Sequence, residues 1–136
     1  MASVRAVAMK AVLALLTAAT AAWALSCLTA VYVGGGSMTP ALIAGDLAVV
    51  RNGTSAIKVG DVVLVDRPGW PGGVLHRVVA VTFDGRLQLR GDANPTPDLD
   101  PVPTSAVRGV LVFVLPCGRA IAAFEALFRV IQSRLT

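Results

Sequence analysis

A serine and a histidine in this sequence have the chemistry of nucleophilic catalysis. Ser37 follows the run Gly34–Gly36, and glycine lets the backbone turn sharply beside an uncrowded hydroxyl. His76 is the single histidine in the sequence. An imidazole, with an ordinary pKa of about 6.5, is the side chain best suited to take a serine proton at neutral pH. The two residues are therefore candidates for a nucleophile and its general base.

Two carboxylates follow the histidine in the order that a catalytic triad would require. The proline-stiffened loop Gly91–Asp98 presents Asp92 and Asp98. A carboxylate that accepts the second ring N–H of a histidine fixes its tautomer and stabilises the imidazolium. The residue types and their spacing allow either aspartate to orient His76.

Each of these features also has a purely structural interpretation. A serine after glycines is typical of a linker, and a histidine on the apolar face of a strand with Val74 and Val78 is often a core residue. Asp92 is typical of a turn and Asp98 of a cap. The alternative hypothesis is therefore a non-catalytic, membrane-anchored β domain in which neither Ser37 nor His76 is required for function.

Composition argues against several other classes of protein. Cys27 and Cys117 lack the spacing of metal ligands, and nucleophilic catalysis by a serine and a histidine needs no metal or cofactor, so we expect neither. The net charge of +4 comes mainly from scattered arginines, and aromatic residues make up only 5% of the chain. Without a basic stripe we expect no nucleic-acid partner, and the positive charge instead favours membrane lipids with anionic headgroups.

The N-terminal region predicts one transmembrane helix over residues 11–33. These residues include no charged side chain, and a helix of this length extends roughly 34 Å. Arg5 and Lys10 precede it, so residues 1–10 are expected in the cytoplasm and the rest on the extracytoplasmic side of the cell membrane. A cleaved secretory signal would have a shorter apolar core of ~7–15 residues. A lipoprotein would use Cys27, but Ala24–Cys27 matches that motif only in part.

The region 34–116 predicts a β-rich domain, so the fold class is mainly β. Valine-rich runs bounded by turn residues predict strands at Leu47–Arg51, Val62–Asp66, Val74–Val81, Arg86–Arg90 and Gly109–Leu115. The predicted turns include Asn52-Gly53, Gly60-Asp61, Pro68-Gly69, Pro71-Gly72-Gly73 and Asp84-Gly85. Four prolines make Ala93–Thr104 a loop.

The C-terminal region, residues 117–136, predicts a short amphipathic helix. Ile121, Phe124, Phe128 and Ile131 recur at helical spacing. Charged residues interrupt the segment too often for a second membrane span. We expect this helix to lie either on the membrane surface or on the β domain.

Taken together, these motifs resemble the type I signal peptidases, in the branch typical of the endoplasmic reticulum, archaea and some Gram-positive bacteria. The resemblance covers nearly the whole chain. Its pieces are the anchor, Ser37–Pro40, Gly45-Asp46, Lys58–Val63, His76–Val78 and Gly91–Asp98.

The resemblance implies a role for each candidate residue. Ser37 is the nucleophile, His76 the base, Asp98 the acid that orients it and Asp92 a supporting second carboxylate. The larger bacterial branch has a lysine where His76 stands, but the chain has only Lys10 and Lys58, neither placed for that role.

The sequence departs from the family pattern at two positions. Ala93 stands where members often have asparagine. Gly35 supplies no hydroxyl to the oxyanion, so backbone N–H groups around Ser37 must stabilise it.

The activity that the resemblance implies is serine endopeptidase cleavage of N-terminal signal peptides from exported preproteins, after small residues of Ala-x-Ala type. A secretory signal has its cleavage site just beyond its apolar core, which would bring the scissile bond to the same membrane depth as Ser37. A peptidase dedicated to a few exported proteins would have the same motifs. The sequence does not specify accessory subunits.

Overall fold

The computed structural model describes residues 2–135, and the side chains of residues 6–132. Its elements follow one another as an N-terminal helix, six strands and a C-terminal helix within these residues. Their bounds are α1 Ala2–Ser26, β1 Leu28–Tyr32, β2 Leu47–Asn52, β3 Val62–Arg67, β4 Trp70–Val81, β5 Leu87–Arg90, β6 Val107–Leu115 and α2 Cys117–Leu135. A short 3-10 turn, Thr104–Ala106, precedes β6.

Helix α1 is shorter at its C-terminal end than the predicted span of residues 11–33. It ends at Ser26, and Leu28–Tyr32 forms strand β1, which pairs antiparallel with β2. Prediction of a helix to residue 33 was therefore wrong. An apolar run alone does not distinguish strand from helix, and pairing with β2 provides partners for the backbone groups of this β-branched and aromatic segment.

The remaining part of α1 is still long and apolar enough to cross a membrane. Residues Ala6–Ser26 are 21 in number, have a mean hydropathy of 1.7 and are not buried against the rest of the chain. At about 1.5 Å per residue, they extend roughly 31 Å, close to the thickness of a bilayer core. An exposed helix of this kind indicates a membrane-associated protein.

The strands form one antiparallel sheet in the order β1-β2-β6-β3-β4-β5. All five strands predicted from sequence are present, and the mainly β fold class is confirmed. Strand β4 is longer than predicted, because it begins at Trp70 rather than Val74. The predicted loop Ala93–Thr104 contains no strand, and its one bridge joins Val102 to Leu87.

Prediction of a turn at Pro71–Gly73 was wrong, because the hairpin turns at Pro68-Gly69 instead. Arg67 pairs with Trp70 and Val65 with Val74, so Pro71–Gly73 oppose a single residue of β3 as a bulge. Proline and glycine suit a bulge for the same reason that they suit a turn: the ladder is interrupted there and a positive φ is tolerated. Gly73 has a φ of +77°.

Two apolar clusters stabilise the sheet. One contains Val63, Val65, Val78, Leu87, Leu89 and Val107, and the other contains Val33, Met38, Leu42, Ala48 and Val62. Neighbouring residues Val62 and Val63 belong to different clusters, as the alternation of side chains along a strand requires. The second cluster includes Met38, so the segment that contains Ser37 packs against the core through its neighbouring residue.

Helix α2 confirms the predicted C-terminal helix, and its apolar stripe is not buried by the sheet. Ile121, Phe124, Phe128 and Ile131 are all exposed. The start of α2 is attached to the sheet, where the Gly118 N–H donates to Oδ1 of the buried Asp46 at 3.0 Å.

Candidate active site

Ser37 lies in a short loop that is closed at both ends by backbone hydrogen bonds. The loop leaves β1 after Tyr32, and Val33 and Asp46 are joined by a bond of 2.9 Å from the Val33 N–H to the Asp46 carbonyl. Met38, next to the serine, is 2% exposed and Leu42 is fully buried. Burial of these apolar neighbours therefore fixes the position of the Ser37 backbone.

His76 presents its ring to this serine from β4. It lies opposite Val63 of β3 and is 6% exposed. Its Nε2 lies 3.3 Å from Oγ of Ser37, and its Nδ1 lies 2.8 Å from Oδ2 of Asp98. The single histidine thus contacts a hydroxyl with one ring nitrogen and a carboxylate with the other, which is the arrangement of a nucleophile, a base and an orienting acid.

Asp98 is held in place through its backbone by β5. Its N–H donates to the Leu89 carbonyl at 2.8 Å, and Nε2 of Gln88 donates to its carbonyl at 2.6 Å. Its side chain is 6% exposed, and Oδ2 accepts a second hydrogen bond, of 2.5 Å, from Nη2 of Arg67.

Asp92 contacts Arg77 rather than the histidine ring. Nε and Nη2 of Arg77 donate to its two oxygens at 2.7 and 2.6 Å, and Nη1 of Arg77 donates to the Gly60 carbonyl at 2.8 Å. The hydrogen bond from Arg77 holds the pKa of Asp92 below its usual value, and Asp92 in turn raises the pKa of Arg77. Of the two aspartates that the sequence left open, the structure brings only Asp98 to the imidazole, whereas Asp92 ties its loop to β4.

Gly91 allows this loop to approach the serine. The Ala93 N–H donates to the Ser37 carbonyl at 2.8 Å. A Cβ atom on Gly91 would lie 2.6 Å from the Ser37 carbonyl oxygen and 3.0 Å from the Ser37 Cβ. Any larger residue at this position would therefore have to push the two loops apart.

The Ser37 and His76 side chains open onto an apolar groove of about 920 Å³. Its walls are the segment from Thr29 to Met38 on one side and Trp70 to His76 of β4 on the other. Strand β5 pairs with β4 only from Arg77 onward, so among the described strands the preceding residues of β4 have no partner on that edge. An extended peptide could pair with such an edge.

Sequence reasoning missed Arg67 and named Asn94 only as part of the family motif, without a role in the site. Both line the groove, and Arg67 contacts Asp98 directly. The alternation Val63, Val65, Arg67 along β3 would have placed Arg67 on the same face as His76, once the pairing of Val63 with His76 was known. Within residues 2–135 no group of three or more His, Cys, Asp or Glu side chains could hold a metal ion.

Comparison with known proteins gives two findings. The sequence pattern of the family described as "signal peptidase, peptidase S26" matches residues 4–91. That range includes Ser37 and His76 and ends before Asp92 and Asp98. The chain is also similar to the signal peptidase complex catalytic subunit SEC11 of Komagataella phaffii, with 39% identity over 77 residues. The match covers 51% of this chain and 45% of the yeast protein, so it spans less than half the length of that relative.

Proposed function

Because the chain belongs to the signal peptidase family, peptidase S26, we propose that it is a membrane-bound serine endopeptidase that removes N-terminal signal peptides from exported proteins. One observation carries the proposal beyond family membership. His76 lies 3.3 Å from Oγ of Ser37 and 2.8 Å from Oδ2 of Asp98, at the wall of an apolar groove. These distances are within reach of the proton transfers that acyl transfer to a serine requires.

The mechanism has two halves. Nε2 of His76 takes the proton of Ser37 as its oxygen attacks the scissile carbonyl, and the imidazolium then protonates the departing amine of the mature protein. Water next attacks the acyl-enzyme with His76 again as base, and the signal peptide leaves with a free carboxylate while Ser37 regains its proton. Asp98 holds the ring in the tautomer with a proton on Nδ1.

Backbone N–H groups beside the nucleophile are the candidates for stabilising the oxyanion. Gly35 and Gly36 carry no side chain that could donate, so the backbone N–H groups of Ser37 and Met38 are the nearest donors along the chain. The rigid burial of Met38 supports this role, because preorganised donors stabilise developing charge more than mobile ones.

The groove supports an extended substrate with small side chains. The unpaired edge of β4 before Arg77 offers backbone partners to a peptide strand, and the apolar walls favour apolar residues beside the cleavage site. Cleavage after Ala-x-Ala sequences would follow if the two alanine side chains packed against the apolar wall of the groove beside Ser37.

We place α1 across the cell membrane, with the preceding residues in the cytoplasm and the β domain on the extracytoplasmic side. Only residues 27–36 separate the end of α1 from Ser37. This connection reaches at most roughly 33 Å when extended, so it allows the nucleophile to lie near the membrane surface, where the cleavage site of a signal peptide emerges from its own apolar helix. Preprotein signal peptides and membrane lipids are then the partners of the chain.

The test is cleavage of a preprotein in liposomes, with the product N-termini sequenced. We expect wild type to cut, Ser37→Ala and His76→Ala to lose at least a thousandfold of the rate, and Asp98→Asn to lose roughly as much. Ser55→Ala is the matched control, because it removes a hydroxyl from an exposed loop outside the groove.

The outcomes separate the hypotheses. Undiminished cutting by His76→Ala would refute the mechanism, and a wild type that cuts no preprotein would favour the non-catalytic β domain. Sequencing the N-termini of secreted proteins from a deletion strain would then distinguish a general peptidase, which affects many proteins, from a dedicated one, which affects few.

A further inference from the structure

Among the described side chains, the guanidinium of Arg67 is the cation that contacts the Ser37-His76-Asp98 group. Nη2 of Arg67 and Nδ1 of His76 lie 2.5 and 2.8 Å from the same oxygen, Oδ2 of Asp98. The Asp98 side chain is 6% exposed, whereas that of Arg67 is 31% exposed. A single buried carboxylate oxygen therefore joins a permanent positive charge to the imidazole.

The position of Arg67 follows from the β3–β4 hairpin. Arg67 is the last residue of β3, and it pairs with Trp70 just beyond the bulge of β4. Bulges turn a side chain toward a new direction and are frequent beside active sites. Here the hairpin brings the guanidinium to the Asp98 side chain while keeping Arg67 at the edge of the groove.

Backbone contacts alone do not orient the Asp98 carboxylate. The bonds from Leu89 and Gln88 fix its main chain, but the rotation of the side chain is set by the groups that its oxygens meet. A buried carboxylate needs a charged or hydrogen-bonding partner to remain ionised. The described ion-pair partners of Asp98 are Arg67 and His76. When His76 is neutral and ready to act as a base, Arg67 is the partner that carries a positive charge.

We propose that Arg67 is a positioning residue, which holds the Asp98 carboxylate directed at His76 and whose charge acts on the imidazole through the oxygen that both groups contact. This inference rests on the proposed peptidase function for its catalytic consequence only. The charge coupling itself is a property of the folded chain and can be measured without a substrate.

Other charged groups surround this cluster. Asp92, paired with Arg77, lies near His76 on the side of the 91–94 loop. Arg108 of β6 lines the same groove and pairs with Asp66, while Arg86 and Asp100 line a neighbouring pocket together with Asp98. None of these side chains donates to Asp98 in the contacts of the described residues, so substitution of Arg67 isolates one interaction.

Removal of the guanidinium has two separable consequences. Loss of the hydrogen bond frees the Asp98 side chain, which we expect to lower kcat about tenfold to a hundredfold with little change in KM. Loss of a positive charge close to the imidazolium favours the protonated ring, so we expect His76 of the variant to titrate at higher pH than in wild type.

The experiment is NMR titration of His76 in the full chain, in detergent and without a histidine tag. Because the sequence has one histidine, its ring signals need no assignment. The variants are Arg67→Gln, Arg67→Lys and Arg51→Gln. Arg51 is an exposed residue of β2 that donates only to the Ser55 carbonyl in its described contacts, so it is a matched loss of charge far from Asp98.

We expect the His76 titration midpoint to rise in Arg67→Gln and to stay near that of wild type in Arg67→Lys and Arg51→Gln. An unchanged or lower midpoint in Arg67→Gln would overturn the proposal, even if that variant lost activity, because loss of the Arg67 charge beside a correctly placed carboxylate can only raise it. If Arg67→Gln does not fold, Arg67→Lys decides through kcat: a single ammonium cannot reproduce the donor geometry of a guanidinium, so wild-type kcat there would also overturn it.

The two proposals fail independently. A wild type that cuts no preprotein would refute the proposed function but leave the titration shift to support the charge coupling. If the wild type cuts preproteins but the His76 titration midpoint does not rise in Arg67→Gln, only the positioning role is refuted.

Discussion

At the scale of single residues, the site depends on close contact between two loops and a strand. Ser37 is fixed by its buried neighbour Met38, His76 by the register of β4, and Asp98 by its backbone bonds to β5. Gly91 is the point where the first and last of these segments meet. Its missing side chain is therefore as necessary to the geometry as the side chains that would react.

We predict that Gly91→Ala moves Ser37 away from His76 without unfolding the chain. The new methyl group would meet the Ser37 carbonyl and Cβ, so the serine must shift by several tenths of an ångström. Because misplacement of about 1 Å can cost a hundredfold in rate, we expect cleavage to fall at least tenfold.

The control for this prediction is Gly85→Ala, measured in the same preprotein assay and by thermal unfolding. Gly85 has a φ of +79° in a turn with open space around it, so alanine there costs about 1 kcal/mol of stability far from the groove. Equal losses of activity in both variants would show that Gly91 acts only through stability.

At the scale of elements, the two helices differ in how they are connected to the sheet. Helix α1 leads directly into β1, whereas the start of α2 is attached to the loop before β2, where Gly118 donates to Asp46 and Arg119 donates to the Pro40 carbonyl. The apolar stripe of α2 is exposed, and the sheet does not cover it. The sequence allowed α2 to lie on lipid or on the β domain, and this exposure favours lipid.

We predict that the stripe of α2 enters the membrane interface. Phe128 lies on the stripe and Ala126 on the opposite face, so a tryptophan placed at each in turn samples the two sides of one helix. With Trp23 and Trp70 replaced by phenylalanine, lipids brominated in their acyl chains should quench Phe128→Trp fluorescence severalfold more than that of Ala126→Trp. Equal quenching would contradict a membrane-surface helix.

At the scale of the whole molecule, charge pairs connect segments that are distant in sequence. The pair of Arg77 and Asp92 joins β4 to the loop that contains Asp98, with Gly60 as a third partner. Its energetic value is moderate, because the Arg77 side chain is 34% exposed and solvent screens the attraction.

We predict that this pair makes folding stability depend on pH in the acidic range. The pKa of Asp92 is lowered on folding by Arg77, so its contribution is present above the unfolded pKa of about 3.9 and is lost as pH falls through the lower folded value. Asp92→Asn should lower the free energy of unfolding by about 1 kcal/mol at pH 7, which thermal unfolding would show as a lower Tm. At pH 2 the difference in Tm between the variant and wild type should be much smaller. A deficit that is the same at both pH values would argue against the ion pair as its cause.

Local sequence was sufficient for most elements of the fold. Valine-rich runs between glycine and proline signals predicted five strands, because side-chain alternation and turn chemistry act over a few residues. Local sequence was also enough to name Ser37 and His76 as candidates, because a serine after glycines and a single histidine can be recognised without knowledge of the fold. It also explains the error at Pro71–Gly73, whose composition suits a bulge as well as a turn.

Only the tertiary structure decided the rest, because those features depend on contacts between distant segments. Whether Leu28–Tyr32 continues α1 or becomes β1 depends on β2 being available to pair with it. Residue type and spacing left Asp92 and Asp98 equivalent, and only the family resemblance favoured Asp98. In the folded chain Arg77 of β4 contacts Asp92 and His76 of β4 contacts Asp98. The spacing of residues along a chain can propose the members of a site, whereas the distances between their atoms are set by long-range strand pairing.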